Sequence, residues 1–213
     1  RRIATNVADA ATSAGVRRIV YLGGLGASQQ SASAHLRSRA EVGDILRTSQ
    51  IPVTELRAAV VVGAGSVSFK MIKHLVSRLP FMICPKWVLV NTQPIAVDDA
   101  IEYLSRSVAD DNLAGRTVDI GGPDVLSYRD MMTTVADIMN LKRLIIQVPV
   151  LTPRLSSYWV NLVTPIKASL ARELIESVRN ETVCRDNARL ELFDFTPMSF
   201  AQAVKLALAT EEN

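Results

Sequence analysis

The glycine cluster Gly23, Gly24 and Gly26 is the first group of residues whose type and spacing could do chemistry, because it directly follows an apolar run. Glycines between a strand and a helix hold the pyrophosphate of a dinucleotide when they are spaced GxGxxG. Here a small polar insert separates the glycines from the next helical pattern, and neither this cluster nor Gly63 and Gly65 completes the spacing. The cluster is therefore interpreted as a flexible strand-to-helix turn, with a phosphate cradle as the alternative.

His35 and Arg39 form the second group, in the sequence HLRSRAE. Their i, i+4 spacing places both side chains on the same side of a helix, one turn apart. An imidazole can exchange protons near neutral pH, and a guanidinium offers five fixed donors but cannot be deprotonated. The two residues are therefore candidates for proton transfer and ligand binding, with an ordinary helix-surface pair as the alternative.

Other titratable residues carry weaker signals. Asp98 and Asp99 are adjacent, so their side chains diverge on a helix, and Asp98 is predicted to be an N-cap rather than half of a catalytic pair. Cys84 and Cys184 lack the CxxC spacing, which favours a reducing, cytoplasmic compartment. The chain has 2 histidines and neither has a metal-ligand spacing, so no metal site is expected.

Composition restricts the class of protein further. The chain has 213 residues with 24 Lys and Arg against 21 Asp and Glu, a net charge of +3, and its aromatic content is 5%. Scattered basic residues with few aromatics argue against a nucleic-acid partner. The longest uncharged stretches lie on either side of Arg154, and each is too short to cross about 30 Å of hydrocarbon, so no transmembrane segment is predicted.

The elements that must position these residues alternate between strand and helix. The strand patterns are VRRIVYLGG, VTELRAAVVVGAG, WVLVN, GRTVDIGG and RLIIQVPV. Ser66, Ser127 and Ser199 are predicted N-caps of intervening or following helices. The alternation predicts an α/β fold with a parallel sheet in which Arg18–Leu22 and Thr54–Val62 lie side by side.

Helical periodicity predicts which side chains face inward. For the first three helices they are, in chain order, Ile3, Val7, Ala10, Ala11 and Ala14; Leu36, Ala40, Gly43 and Leu46; and Phe69, Ile72, Val76 and Leu79.

Five segments, AGVRRIVYLGGLG, HLRSRAEVGDIL, VTELRAAVVVGAG, PIAVDDAIEYL and GRTVDIGGPDVLSYRDMMTTVA, occur in this order and span most of the chain. Together they resemble the later half of an extended or atypical short-chain dehydrogenase/reductase of the NmrA-like, epimerase-related branch. The resemblance implies a partial Rossmann-type parallel sheet with helices on both faces, NAD or NADP as cofactor, and a glycine-rich phosphate loop upstream of Arg1. A sheet that continues upstream would leave a central strand at an edge, which favours association, including a homo-oligomer.

The resemblance also implies where an active site would lie. In this superfamily a Ser ends the fifth strand and the next helix carries YxxxK, whose Tyr exchanges a proton and whose Lys holds the nicotinamide ribose. The Ser position matches Gly23–Gly24 here, the Tyr position matches His35 and the Lys position matches Arg39, so all three differ. By the same resemblance Arg39 would bind the ribose and His35 would handle a proton.

The strand end ELRAAVVVG resembles the segment that lines the nicotinamide in this superfamily, which implies that Ala58, Ala59, Val60 and Val61 contact the cofactor. A plain core role for the two valines is the alternative. The predicted cofactor-binding set is thus Gly23, Gly24, Arg39, Ala58, Ala59, Val60 and Val61.

The predicted domains are the C-terminal part of a Rossmann domain, 1–125, and a small substrate region, 126–213, interleaved with the sheet. The apolar segment LTPRLSSYWVNLVTPIKASLARELIESV favours packing between this region and the sheet, with an apolar substrate pocket or a peripheral membrane surface as alternatives.

The favoured hypothesis is an NAD(P)-binding oxidoreductase or epimerase-related enzyme acting on a small substrate. The loss of the superfamily's Ser, Tyr and Lys favours two alternatives, a non-catalytic NAD(P)-binding sensor and a peripheral assembly or scaffold protein with a degenerate active site.

Overall fold

The computed structural model describes residues 1–26, 33–148 and 176–211. Its helices are α1 (Arg2–Ser13), α2 (Ala34–Arg47), α3 (Val67–Arg78), α4 (Val97–Ala109), α5 (Tyr128–Ile138), α6 (Ala188–Leu192) and α7 (Phe200–Glu211). Its strands are β1 (Ile19–Gly24), β2 (Val53–Ala58), β3 (Val61–Val62), β4 (Phe81–Pro85), β5 (Asn91–Thr92), β6 (Ile95–Ala96), β7 (Thr117–Ile120), β8 (Leu126–Ser127) and β9 (Leu144–Val148). Short 3₁₀ turns cover Lys86–Leu89 and Asp111–Leu113.

The central sheet has the strand order β1-β2-β7, and both pairings are parallel. Ile19 lies opposite Val53, and Gly24 lies opposite Ala58, so β1 and β2 end at the same edge. The prediction that these two strands are neighbours is confirmed, but the second strand ends at Ala58 and not at Val62, because Val61 and Val62 pair with β6 instead. Within the described part of the chain β1 pairs with β2 alone and forms one edge of this sheet.

Helices cover both faces of the sheet, because successive side chains of a strand point to opposite faces. Val53 packs with Ala8 of α1 and Leu46 of α2 on one face. Leu56 packs with Tyr103 of α4 on the other face. The predicted α/β fold class is confirmed.

A second core lies beside the central sheet. It is lined by the two-stranded parallel pairs β3–β6 and β4–β9, and by helices α3, α5 and α7. Val62, Phe69, Met131 and Val204 are fully or almost fully buried there. Residues from both predicted domains thus share this core, and the domain boundary near residue 125 stays a prediction.

Three predicted N-caps are confirmed. The hydroxyl of Ser66 accepts a hydrogen bond from the N–H of Phe69, and Ser199 accepts one from Gln202. Ser127 forms a capping box with Asp130, in which each side chain accepts from the other residue's backbone N–H. The inward faces of α2 and α3 are largely as predicted, since Leu36, Gly43, Leu46, Phe69, Ile72 and Val76 are buried.

The predicted inward face of α1 is wrong. Ile3 and Val7 are exposed, whereas Ala4 and Ala8 are buried. Ala8 packs against Val53 at the start of β2, where a small side chain allows a close approach of the helix to the sheet. The periodicity of apolar residues predicted that the larger side chains face inward, but the small alanines contact the sheet.

Three other local predictions need correction. The segment WVLVN is not a strand: Pro85 leads into the 3₁₀ turn, which buries Val88, and only Asn91 belongs to a strand. Asp98 is not an N-cap, because α4 continues directly from β6 with Ala96 at that position, and Asp98 lies in the first helical turn. Strand β4 is not among the strands predicted from the sequence.

No helix in the described ranges is long and apolar enough to cross a membrane.

Candidate functional site

A cavity of about 190 Å³ opens where β1 and β2 end. In open parallel α/β sheets, ligands bind outside the carboxyl ends of the strands. All of the predicted site residues line this one cavity: Gly23, Gly24, His35, Arg39, Ala58, Ala59, Val60 and Val61. The structure therefore brings together residues that are spread over 39 positions of the sequence, from 23 to 61.

His35 and Arg39 reach the cavity from the first turns of α2. The hydroxyl of Ser33 accepts a hydrogen bond from the N–H of Leu36 at 3.2 Å and so fixes where the helix begins. From that start, the i, i+4 spacing turns both side chains toward the strand ends. Arg39 remains exposed on its outer side, whereas His35 is half-buried.

The stem of Arg39 rests on the end of β1. A Cβ atom at Gly24 would lie 3.6 Å from the Cβ of Arg39 and 3.2 Å from a methyl carbon of Leu36. The hydroxyl of Tyr21 donates a hydrogen bond to the carbonyl oxygen of Arg39 at 3.0 Å, and burial raises the pKa of this tyrosine. These contacts hold the middle of α2 against the strand and fix where Arg39 emerges.

The Ala58–Val61 stretch forms the apolar wall of the cavity. The N–H of Leu25 donates to the carbonyl of Ala58 at 2.9 Å, and the N–H of Ile95 donates to the carbonyl of Val60 at the same distance. These bonds fix the backbone after β2, and the small alanine side chains leave space above it. A flat, mostly apolar group fits such a wall.

Gly23 cannot easily be replaced by a larger residue, because a buried carboxylate fills the space beside it. A Cβ atom there would lie 2.5 Å from Oε1 of Glu55, which is itself ion-paired with Arg47 at 2.6 Å. A side chain at Gly23, a position that matches the superfamily's Ser, would therefore have to displace the ion-paired carboxylate of Glu55.

Sequence reasoning missed the polar residues that the rest of the chain adds to the cavity. Tyr128, the first residue of α5, lines it together with Ser177 and Thr182. Tyr128 is hydrogen-bonded to the hydroxyl of Thr92, and burial raises the pKa of this tyrosine to about 12. Thr92 in turn accepts a hydrogen bond of 2.8 Å from the hydroxyl of Thr182. No sequence signal connects these positions, because they come from three separate segments.

The other titratable candidates, Asp99, Cys84 and Cys184, are not among the residues that line the cavity. The carboxylate of Asp99 accepts a hydrogen bond from the N–H of Met198 at 2.8 Å, and burial raises the pKa of this carboxyl. Cys84 and Cys184 are free thiols, and burial raises the pKa of each to about 11. Within the described ranges, no group of three or more His, Cys, Asp or Glu residues is placed to hold a metal ion.

Comparison with known proteins finds a related sequence of low identity. No protein-family model matches this chain. The "NADH dehydrogenase [ubiquinone] 1 alpha subcomplex subunit 9, mitochondrial" of Arabidopsis thaliana is 24% identical over 127 residues. The match covers 59% of this chain but 32% of that protein, so it spans about a third of the relative's length.

Solved structures show the same fold at low sequence identity. The NADPH-dependent quinone oxidoreductase of Escherichia coli, complexed with NADPH, superposes with a TM-score of 0.75 at 17% identity, over 95% of this chain and 69% of that one. A nucleoside-diphosphate-sugar epimerase from Staphylococcus aureus gives 0.71 at 15% identity, over 95% and 69%. The enzyme WbmG of Bordetella bronchiseptica, in complex with NAD, gives 0.66 at 15% identity, over 98% and 63%.

These likenesses confirm the predicted Rossmann-type fold. The predicted resemblance is confirmed as a likeness of fold, since the neighbours include an NADPH-dependent oxidoreductase and a sugar epimerase, and the superpositions cover 95% or more of this chain.

Proposed function

We propose that this chain binds the nicotinamide end of NAD or NADP in the cavity at the carboxyl ends of β1 and β2, and serves an oxidoreductase or epimerase-related reaction on a small substrate. The observation that carries the proposal is the convergence of the predicted site residues in that cavity. Structural neighbours with the same fold were solved with NADPH or with NAD.

The residues present fit the nicotinamide end of such a cofactor. Gly24 places bare backbone at the cavity, and Ala58 and Ala59 supply a shallow apolar wall for a flat ring. The guanidinium of Arg39 offers donors for ribose hydroxyls or a phosphate. The sequence contains no GxGxxG spacing, so contacts to the pyrophosphate are not assigned to this chain.

A bound nicotinamide supplies or accepts a hydride. The chain's own residues would orient the ring and handle the matching proton at a substrate oxygen. Two side chains of the cavity can hold that proton, the imidazole of His35 and the hydroxyl of Tyr128. The raised pKa of Tyr128 keeps its hydroxyl protonated at neutral pH, which suits a donor rather than a base.

Titration of the full chain with NADPH and with reduced nicotinamide mononucleotide, by ligand-observed NMR, tests the binding proposal. We expect the two ligands to bind with affinities within about threefold of each other, because only the nicotinamide end is held. Arg39→Ala should weaken both by about 10-fold or more, the loss of one charge-assisted hydrogen bond. Arg37→Ala is the matched control, since Arg37 lies on the same helix but lines a separate groove with Glu41 and Asp44.

Equal binding by the Arg39→Ala and Arg37→Ala variants would remove Arg39 from the site. Binding of NADPH far tighter than that of the mononucleotide would show that residues such as Gly23 and Gly24 do hold phosphates. The proposal would be overturned if neither NADPH nor the mononucleotide bound at millimolar concentration.

A turnover assay with quinones, aldehydes and ketones separates catalysis from binding. His35→Ala should lower turnover by about 10²–10⁴-fold while leaving cofactor affinity nearly unchanged, as expected for a general acid or base. If Tyr128→Phe has that effect instead, Tyr128 is the proton donor.

A second candidate function is a non-catalytic subunit that keeps the fold for assembly or for sensing NAD(P). It is supported by the glycine at the Ser position, where the carboxylate of Glu55 occupies the adjacent space, and by the similarity to a protein named as a subunit of NADH dehydrogenase. Ligand binding without turnover of any substrate would favour this function. Two free cysteines without a disulfide suit the cytoplasm and also the mitochondrion, a compartment that the name of the Arabidopsis relative includes.

A further inference from the structure

The β4–β9 pair presents a row of exposed apolar side chains far from any predicted site residue in the sequence. The strands run parallel, with Phe81 opposite Leu144 and Ile83 opposite Ile146. These four residues are 64%, 53%, 60% and 44% exposed, respectively. The alternate residues of β4, Met82 and Cys84, are buried in the second core. We call the four exposed residues the ribbon patch.

The four side chains of the ribbon patch lie on the same exposed face of the β4–β9 pair and form a continuous apolar surface. Neighbouring strands lie about 4.8 Å apart, and residues two apart on a strand project on the same side, so the four side chains are mutual neighbours. Contiguous exposed apolar side chains on a globular protein mark an interaction surface.

The charges around the ribbon patch are almost all positive. The strands belong to two stretches of the sequence, 56–97 and 138–172, neither of which contains an Asp or a Glu. Arg78, Lys142 and Arg143 lie where both strands begin, and Lys86 follows the last residue of β4. Arg78, Lys86 and Lys142 are exposed.

Two carboxylates on the helices of the second core, Asp137 and Glu211, already face cations. Asp137 of α5 lines a groove with Lys142 and Arg143, so it faces two cations there. Glu211 of α7 is paired with Lys73 of α3 at 2.5 Å. The guanidinium of Arg143 donates to carbonyl oxygens at the end of α3, which satisfies hydrogen bonds but leaves its charge.

We propose that the ribbon patch docks this protein onto an anionic membrane surface. Apolar side chains that enter the headgroup region beside Lys and Arg residues are the recognised pattern for a protein that lies on a bilayer. A second copy of the chain is a poorer occupant, because a symmetric contact through the patch would bring two sets of these cations together.

Co-sedimentation of the full chain with lipid vesicles tests the proposal. We expect binding to phosphatidylcholine vesicles that contain about 30% phosphatidylserine, little binding to pure phosphatidylcholine, and a loss of about 10-fold at about 0.5 M salt. The variant Ile83→Asp/Ile146→Asp should bind about 10-fold or more weakly, because it places carboxylates in the patch.

The control is Ile101→Asp on α4. Ile101 is 56% exposed, much like the residues of the ribbon patch, but it lies between Asp98 and Glu102. This variant should bind vesicles like the unmodified protein, and circular dichroism with thermal melting checks that all variants fold.

Three results would overturn the proposal: no binding to anionic vesicles, equal binding to neutral ones, or equal losses in the patch variant and the Ile101→Asp control. A fourth is a dimer in solution, seen by light scattering, that the patch variant alone dissociates, since the patch would then be covered by a second copy.

Discussion

On one face of β2 the side chains of Glu55 and Arg57 are ion-paired, whereas on the other face Leu56 belongs to the buried apolar cluster that contains Tyr103. Glu55 pairs with Arg47 of α2 at 2.6 Å, and Arg57 pairs with Asp119 of β7, also at 2.6 Å. We call these the ion-paired face and the apolar face. Both lead to the same strand end, where the candidate cavity lies.

The two faces differ in what they demand of their neighbours. On the apolar face, Tyr103 contacts Phe193 edge-on, with ring centroids 4.7 Å apart, and Phe195 at 4.5 Å. On the ion-paired face, Glu55 fills the space beside two glycines, Gly23 and Gly43. The apolar face is stabilised by side chains that fill its volume, whereas the ion-paired face needs counter-charges and small neighbouring residues. Substitutions that remove volume and substitutions that remove charge should therefore affect the two faces differently.

The largest effect is expected from Tyr103→Ala on the apolar face. The ring is almost fully buried and contacts Phe193 and Phe195, so its removal leaves a cavity and removes two aromatic contacts. Loss of a buried aromatic side chain costs about 3–5 kcal/mol of unfolding free energy. Urea denaturation measures this, with Ile101→Ala on the exposed side of the same helix expected to change stability by less than about 0.5 kcal/mol. A change below about 1 kcal/mol for Tyr103→Ala would mean that the apolar face is not packed as described.

A smaller and asymmetric effect is expected from the ion-paired face. The side chain of Glu55 is 5% exposed, whereas that of Arg47 is 39% exposed and also contacts Asp44. Arg47→Ala leaves a buried carboxylate without its counter-charge and should cost about 2–3 kcal/mol, less than for a fully buried pair. Glu55→Gln leaves a cation that water can reach, and should cost only about 1 kcal/mol. Denaturant titration of the two variants side by side would contradict this account if Glu55→Gln proved the more damaging.

The sequence predicts features that depend on local periodicity, but not features that depend on partners from other elements. The pattern of VTELRAA identified a strand, and the alternation of strands and helices led to the correct fold class, because both depend on local periodicity. The burial of Glu55 and the ion pairs of Glu55 and Arg57 have no local signal in the sequence, since the partners Arg47 and Asp119 belong to other elements. The prediction of the inward face of α1 is wrong for a related reason. Whether alanines or larger side chains face the sheet depends on the distance between helix and sheet, which the sequence of the helix does not give.

The candidate site divides in the same way. Gly23, Gly24, His35, Arg39 and the Ala58–Val61 stretch were found through ordered segments that resemble a known family, and the fold places them in one cavity. Tyr128 and Thr182 were missed, because only the tertiary structure carries them to the ends of β1 and β2. The β4 strand escaped prediction because its outer residues are apolar, so it lacks the alternation of a half-buried strand.

The smallest expected effect concerns alkaline pH on the apolar face. Burial raises the pKa of Tyr103 from 10.0 to about 12, so the folded protein keeps the phenol proton at pH values where the unfolded chain has lost it. A raised folded-state pKa contributes stability that is fully present below pH 10 and is lost as pH rises toward 12. Between about pH 8 and about pH 11 the unmodified protein should lose about 1.4 kcal/mol more than Tyr103→Phe, which has no phenol to ionise at this position. Urea denaturation at both pH values measures the difference, and lysines cancel because they are common to both proteins. Parallel losses in the two proteins would show that Tyr103 ionises as readily in the fold as outside it, and the apolar face would then be open to water.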